Sequence, residues 1–435
     1  MAIDLTEIKA ALQAKIDALT ENSPMLSILQ LERAANKFGT TTYYDSDGDL
    51  PPPTEFPEGS IVSTYQPAPS GPSGLFLNKG GSWNNIQTIG VDLVAYASTK
   101  YQGGTQGYLS KGSTQMSPSS SSTFRSSHII PFASDVGVTS TPNSIFPGPE
   151  VEGGAFPNWS THGYVFGGDG QPSTGDLGTP YTRRIDSFPF ANSNDAATDV
   201  GDMSTVATML GDGGMTSGIN GYIAGGSGLP YPPPVSLQSI VQKFNFAAMG
   251  IATNVSNLSV AKRQTTNHSA ADAGYVSGGW VFTGNPSVIT TTNIERLPWT
   301  TETIAQAPAN LAVGGQNAAS IASEIHAYVI GGYSPLLPMP SGFGGTYIQK
   351  FPFAATTPTA SVGNLAGRHY QLRGISSVSK GYYTGGYGPQ PNPAVPVPPF
   401  PTSTTNSYFP YSSESTITIL NNLPDGKSRA VTNQY

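Results

Sequence analysis

The chain contains no cysteine, which excludes disulfides, thiolate metal sites and cysteine nucleophiles. Charge is scarce as well: only 11% of its 435 residues are Asp, Glu, Lys or Arg, against about 25% in an average soluble domain. The 27 acidic side chains outnumber the 20 basic ones, giving a formal charge of −7. With no basic cluster, the surface that neutralises phosphates in nucleic-acid binding is missing, and no nucleic-acid partner is expected. No apolar run reaches the roughly 18 residues of a membrane-spanning helix. The N-terminal stretch carries charges throughout and shows no signal-peptide pattern.

What the chain has in excess is Gly (51), Pro (38), Tyr (21) and Phe (18), and these residues recur in register. The motif Gly274-Tyr275-Val276-Ser277-Gly278-Gly279 has five relatives, centred on Tyr108, Tyr164, Tyr222, Tyr328 and Tyr382, at intervals of 53 to 58 residues. A second motif, apolar-Pro-aromatic in most copies, runs in phase with it. Its copies are Ile130-Pro131-Phe132, Phe188-Pro189-Phe190, Phe244-Asn245-Phe246, Leu297-Pro298-Trp299, Phe351-Pro352-Phe353 and Phe409-Pro410-Tyr411. A third motif ends in Leu258, Leu311, Leu365 and Leu423, with Met203 in a looser copy. A period of this length indicates a propeller or an array.

Each unit reads as four short strands. The Tyr segment is a strand stopped by the Gly pair, where glycine permits positive φ or a close backbone approach. Proline, which cannot donate to a ladder, marks the end of the next strand. The expectation is an all-β, six-bladed propeller, with seven blades as the alternative. Arg429-Ala430-Val431-Thr432-Asn433 matches Arg263-Gln264-Thr265-Thr266-Asn267, so the C-terminal residues are expected to supply the first strand of the Tyr108 blade. Residues 86–94 are the competing source of that strand.

The pattern resembles kelch-type propellers, including that of the galactose oxidase family, over roughly residues 100–435. It departs from them in using Leu or Met where the fourth strand usually carries Trp. The copper chemistry of galactose oxidase requires a Cys–Tyr crosslink, which this chain cannot form. Asp boxes of the sialidase type, phosphate loops and nucleophile elbows are absent from the sequence. Of the five histidines, His162 and His326 each stand just before a Tyr motif, a position set by the repeat. A non-enzymatic protein without cofactor or catalytic residues is therefore expected.

Ahead of the repeats, residues 3–39 read as a short α-helical hairpin. Leu5, Ile8, Leu12, Ile16 and Leu19 form one apolar stripe behind an Asp4/Glu7 capping box, and Ser23-Pro24 opens the second helix. The expected organisation is a helical attachment or oligomerisation segment (1–40), a Pro-rich extended arm (41–75) and the propeller (76–435). Asp45-Ser46-Asp47-Gly48-Asp49 has carboxylates at calcium-ligand spacing. However, the position that holds the bidentate Glu of an EF-hand is Phe56, so the stretch reads as a turn.

This N-terminal sequence resembles virion structural proteins of tailed phages, particularly marine ones. The resemblance implies attachment to other virion proteins through residues 1–40, homo-oligomerisation, and localisation in the virion after assembly in the host cytoplasm. The propeller would then be a spacer, or a head that recognises a host glycan or protein, in a fibre, a tail component or a capsid decoration. The loops after the Gly pairs carry candidate partner-binding aromatics on one rim: Tyr231, Trp280, Phe282, Tyr333, Phe343 and Phe400. A secreted or cell-surface lectin-like propeller is the runner-up, and a propeller enzyme the third reading.

Overall fold

Each of the six Tyr motifs forms a strand whose tyrosine is buried. These second strands are Gln106–Ser110, His162–Phe166, Asn220–Ala224, Ala273–Ser277, His326–Ile330 and Lys380–Thr384. The computed structural model describes most of residues 102–434, together with strands Tyr43–Tyr44, Ile61–Thr64, Leu75–Lys79 and Ser82–Asn85. Residues 1–42, 45–60, 65–74 and 86–101, the loops 111–126, 142–156, 168–182, 335–344 and 389–402, and some shorter stretches lie outside the described residues.

The chain divides into residues 1–97 and 98–435. In the first unit, the four strands pair in sequence order, the first two parallel and the others antiparallel. Leu75–Lys79 and Ser82–Asn85 lack the Tyr motif and pair with each other and with Ile61–Thr64, so they belong here. The expected helical hairpin, including Leu5, Ile8, Leu12, Ile16 and Leu19, falls outside the described residues, as do the Asp45–Asp49 carboxylates and residues 86–94.

The second unit is a six-bladed β-propeller, as the repeat predicts. Blades 2 to 6 each follow the chain, with an inner first strand antiparallel to the Tyr strand. In blade 4 the strands are Thr265–Ser269, Ala273–Ser277, Asn293–Pro298 and Ala305–Asn310. Blade 1 takes its first strand from the other end of the chain: Val431–Gln434 pairs with Gln106–Ser110, Val431 opposite Ser110 and Asn433 opposite Tyr108. Closure therefore joins the two ends of residues 98–435 and leaves only short, protected strand edges. Blade 2 has the weakest first strand, a bridge of Asn158 to Gly163.

The repeated motifs are the contacts between blades. The aromatic ending each third strand lies against the Tyr of the preceding blade. Ring centroids are 5.4 Å apart for Tyr108–Phe190, 4.5 Å for Tyr164–Phe246, 4.9 Å for Tyr222–Trp299, 5.0 Å for Tyr275–Phe353, 5.5 Å for Tyr328–Tyr411 and 5.1 Å for Tyr382–Phe132. The last pair crosses the seam between blades 6 and 1. The Gly pairs are a second contact. The second glycine donates to the linker leading into the next blade: Gly226 N to Lys262 O, Gly279 N to Gly315 O and Gly332 N to His369 O. Gly278 has φ +62°, and a Cβ there would stand 2.5 Å from Gly315 O, so both the angle and the approach require glycine. Met203, Leu258 and Leu311 are buried directly after the fourth strands of blades 2 to 4, Leu365 within that of blade 5 and Leu423 shortly after that of blade 6.

The tyrosine hydroxyls need acceptors in the next blade. Tyr108 and Tyr275 donate to Phe190 O and Phe353 O, at 3.2 and 2.7 Å. Tyr222 and Tyr328 reach Glu302 and Glu414, each at 2.7 Å. Both glutamates sit three residues after the stacking aromatic in left-handed turns and also bind Lys243 and Lys350, at 2.7 Å. Tyr164 OH is buried without an acceptor. The equivalent left-handed position after Phe246 is Met249, which is exposed. Met249→Glu is therefore expected to stabilise the protein by about 1 kcal/mol through the missing hydrogen bond, read as a higher midpoint in urea. A lower midpoint would show that Tyr164 OH is not limited by its acceptor.

Candidate functional site

The six first strands surround the propeller axis, and the two ends of that channel differ. Toward the turns into the second strands, equivalent residues of all six blades form one ring: Asn158, Thr216, Ser269, Ala322, Ser376 and Gln434. Each lies opposite the residue that precedes a motif tyrosine. Backbone amides donate to the side chain of the next blade, Thr216 N to Ser269 Oγ at 2.9 Å, Ala322 N to Ser376 Oγ at 2.9 Å, Ser376 N to Gln434 Oε1 at 2.7 Å and Gln434 N to Asn158 Oδ1 at 3.2 Å. Thr216 Oγ1 donates to Asn158 O at 2.8 Å. Ala322 has no side-chain acceptor for a link from Ser269. Its carbonyl instead accepts from Gln102 Nε2 and Tyr411 OH, at 2.9 and 3.0 Å.

These residues rim a small depression open to solvent, further lined by Asn267, His268, Ser320 and Thr432. His268 Nδ1 lies 3.0 Å from Ser320 Oγ and 3.3 Å from Ile321 O in the next blade. Burial pushes its pKa down to about 3, so the ring is uncharged at neutral pH. The Ser320 hydroxyl is committed to Asn267 O. The pair acts as a lock between blades 4 and 5 rather than as a nucleophile with its base.

The buried charges do similar work. Asp212 Oδ2 accepts from Ser320 N at 2.6 Å and from Gly374 N at 3.1 Å. Arg373 Nη1 lies 3.6 Å from its Oδ1, and Arg373 Nε donates to Ala430 O at 2.6 Å. One carboxylate from blade 3 thus reaches blades 5 and 6, and its arginine reaches the strand that closes blade 1. A second buried pair, Lys262–Glu295 at 2.5 Å, holds the linker between blades 3 and 4, where Glu295 also accepts from Ser259 N at 2.6 Å.

The other end of the channel, where the second strands stop at their Gly pairs, carries the rim. The segment after Gly279, expected as a loop, is a hairpin of Trp280–Gly284 and Ser287–Thr290. Trp280 is half-buried under the Arg263 guanidinium, 3.9 Å from its ring. Phe282 is 43% exposed and lies 5.9 Å from Trp280 between ring centroids. Tyr333 is half-buried and bridged to Gln316. The structure thus brings Trp280 and Phe282 together, and Tyr333 follows one blade later. Tyr231, Phe343 and Phe400 fall outside the described residues.

Sequence reasoning missed the axial charges and a corner next to the rim. Asp212 had one available signal: Gly211-Asp212-Gly213-Gly214 interrupts the pattern of the other first strands. Gln264, Asn317 and Gln371, just ahead of three successive first strands, adopt left-handed backbone at φ +54°, +54° and +57°. Among the described residues, no group of three His, Asp or Glu side chains is placed to hold a metal.

The solved structure of YjhT is similar, with a TM-score of 0.52 and 13% sequence identity, over 66% of this chain and 88% of that one. That likeness shows the propeller fold. No protein family and no curated sequence matches the chain.

Burial pushes the Asp212 pKa up to about 6, against Arg373 and the backbone N–H groups of Ser320, Gly374 and Gly213. The folded state then holds a proton that the unfolded chain, near 3.9, releases. The stability contributed by protonated Asp212 is full below about pH 4 and falls as pH rises to about 6, by roughly 2–3 kcal/mol. Asp212→Asn is expected to remove this slope from a plot of unfolding free energy against pH. An unchanged slope would show that Asp212 is ionised throughout.

Proposed function

We propose that this chain is a non-enzymatic structural protein of a tailed-phage virion, with a kelch-type propeller serving as a recognition head or spacer. The observation that carries the proposal is that the propeller closes within residues 98–435. The N-terminal residues, whose sequence resembles phage virion proteins, are therefore not needed for closure and are free to attach. Residues 1–40 bind other virion proteins and hold the chain as a homo-oligomer.

Gly103 N donates to Ser376 O at 2.8 Å, and Gln102 Nε2 to Ala322 O at 2.9 Å, so residues 102 and 103 lie at the end of the channel bearing the Asn158–Gln434 ring. The rim with Trp280 and Phe282 is at the opposite end. The charged side chains also favour binding over catalysis: Asp212, Arg373, Lys262, Glu295, Glu302 and Glu414 are engaged in contacts between blades.

Mass spectrometry of gradient-purified particles is the test. The account expects this chain to co-sediment with particles and full-length chain to be retained after salt washing, whereas chain lacking residues 1–40 is lost. Recovery only as free protein, outside particles, would overturn the virion assignment and favour the lectin-like reading.

A further inference from the structure

Three blades hold the linker that leads into them with the same residue of their third strand, and blade 4 uses a different chemistry. Gln242, Glu295 and Gln349 each stand two residues before the apolar residue of the second motif, opposite the residue that follows a motif tyrosine. In blade 3, Gln242 Oε1 accepts from Thr205 N at 3.1 Å and Nε2 donates to Thr205 O at 3.2 Å. In blade 5, Gln349 Oε1 accepts from Val313 N at 2.9 Å and Nε2 donates to Val313 O at 3.1 Å. Both are buried amides with oxygen and nitrogen satisfied by the linker backbone. In blade 4, Glu295 Oε1 accepts from Ser259 N at 2.6 Å in the same way. Where the other two carry an amide nitrogen, however, Glu295 sets Oε2 against Lys262 Nζ.

As an ion pair this arrangement is costly. Both side chains are fully buried, and two ions removed from water recover that cost only with good geometry and full hydrogen bonding. Here the 2.5 Å contact is shorter than the roughly 2.7–2.9 Å of an ammonium–carboxylate hydrogen bond. It is also not aligned as one, and Lys262 Nζ and Glu295 Oε2 have no other partner. Burial pushes the Lys262 pKa down, against the pull of Glu295. That favours the neutral amine, which is the nucleophilic form of lysine.

We propose that Lys262 and Glu295 are joined by an isopeptide bond, formed by condensation of the lysine amine with the glutamate carboxyl. The product is an amide, the group that Gln242 and Gln349 place at this position in blades 3 and 5. Both charges disappear on condensation, so the dry site that penalises the ion pair favours the bond.

The atoms are placed for the reaction. Lys262 is held by blade 3 at both backbone groups, N to Gln238 O at 3.1 Å and O from Gly226 N at 2.8 Å. Amine and carboxyl therefore meet with little freedom left to lose. One ammonium proton passes from Nζ to Oε2, and the freed lone pair attacks Cδ. The negative charge that develops on Oε1 faces the Ser259 N–H, as in an oxyanion hole. As the adduct collapses, the Cδ–Oε2 bond breaks and Oε2 leaves as water with a second ammonium proton. The N–C bond remains, and it ties the linker held by blade 3 to the third strand of blade 4. Such a cross-link restricts the unfolded chain as a disulfide would, in a sequence without cysteine.

Mass spectrometry of the full chain, unfolded in acid, is the test, because an ion pair separates there and an amide does not. The chain is expected to be lighter than its sequence by one water. Trypsin should leave peptides 244–263 and 264–296 joined, with Lys262 uncleaved, and fragmentation should place the junction at Lys262 and Glu295. The double variant Lys262→Met/Glu295→Gln, which restores the amide of the other blades, is expected to fold, show its full mass and release the two peptides separately. A wild-type chain of full mass would overturn the proposal and leave an ion pair only. Water loss mapped to a succinimide at an Asp-Gly step such as Asp212-Gly213 would overturn it equally, as would water loss that persists in the double variant.

Discussion

The stacking of one blade's tyrosine on the next blade's aromatic is the contact on which the rest of this propeller depends. It occurs six times with the same partners in the motif, and its sixth occurrence, Tyr382 with Phe132, connects the last blade to the first. A pair of this kind contributes about 0.5–1.5 kcal/mol beyond the area it buries. Neither member can be buried by one blade alone, so each sheet gains its core only when both neighbours are present. The chain answers the entropy of closing such a ring by drawing its first and last strands, Gln106–Ser110 and Val431–Gln434, into one sheet.

Polar contacts follow the same logic. The hydroxyls of Tyr108, Tyr222, Tyr275 and Tyr328, the Gly-pair amides, the axial ring from Asn158 to Gln434 and the Asp212–Arg373 pair all run from one blade to another. With few charges in the sequence, the buried Asp212, Arg373, Lys262 and Glu295 are used where two or more blades converge. A buried ion pair is weak evidence of added stability, and at Asp212 the several N–H donors and the arginine suggest a different benefit, a fixed register among blades 3, 5 and 6.

Much of this was legible in the sequence. Motif spacing was enough for six blades, and the likeness of residues 429–433 to residues 263–267 was enough for closure by the C-terminal strand. Both follow from local chemistry repeated along the chain: a tyrosine strand, a Gly stop and a proline end. Repetition also hid something. The stacking partner of each tyrosine lies in the next unit, one period away, and a linear motif does not say which blade it touches. The axial contacts were harder still, because Asp212 meets Gly374 across 162 positions and neither belongs to a repeated motif. For the site, the stretch carrying Trp280 and Phe282 was read as a loop, whereas it is a hairpin that sets the two rings 5.9 Å apart. The left-handed amides went unseen because Gln is not a residue that announces positive φ.

Native-state hydrogen exchange tests the dependence of every blade on the closed ring most directly. The account predicts that amides of Gln106–Ser110 beside the seam and of Ala273–Ser277 far from it exchange with the same opening free energy, equal to that of global unfolding. Exchange from blades 1 and 6 at a distinctly lower free energy, with blade 4 still protected, would mean that the seam opens by itself. The blades would then be an array of semi-independent sheets rather than a ring held by its closure.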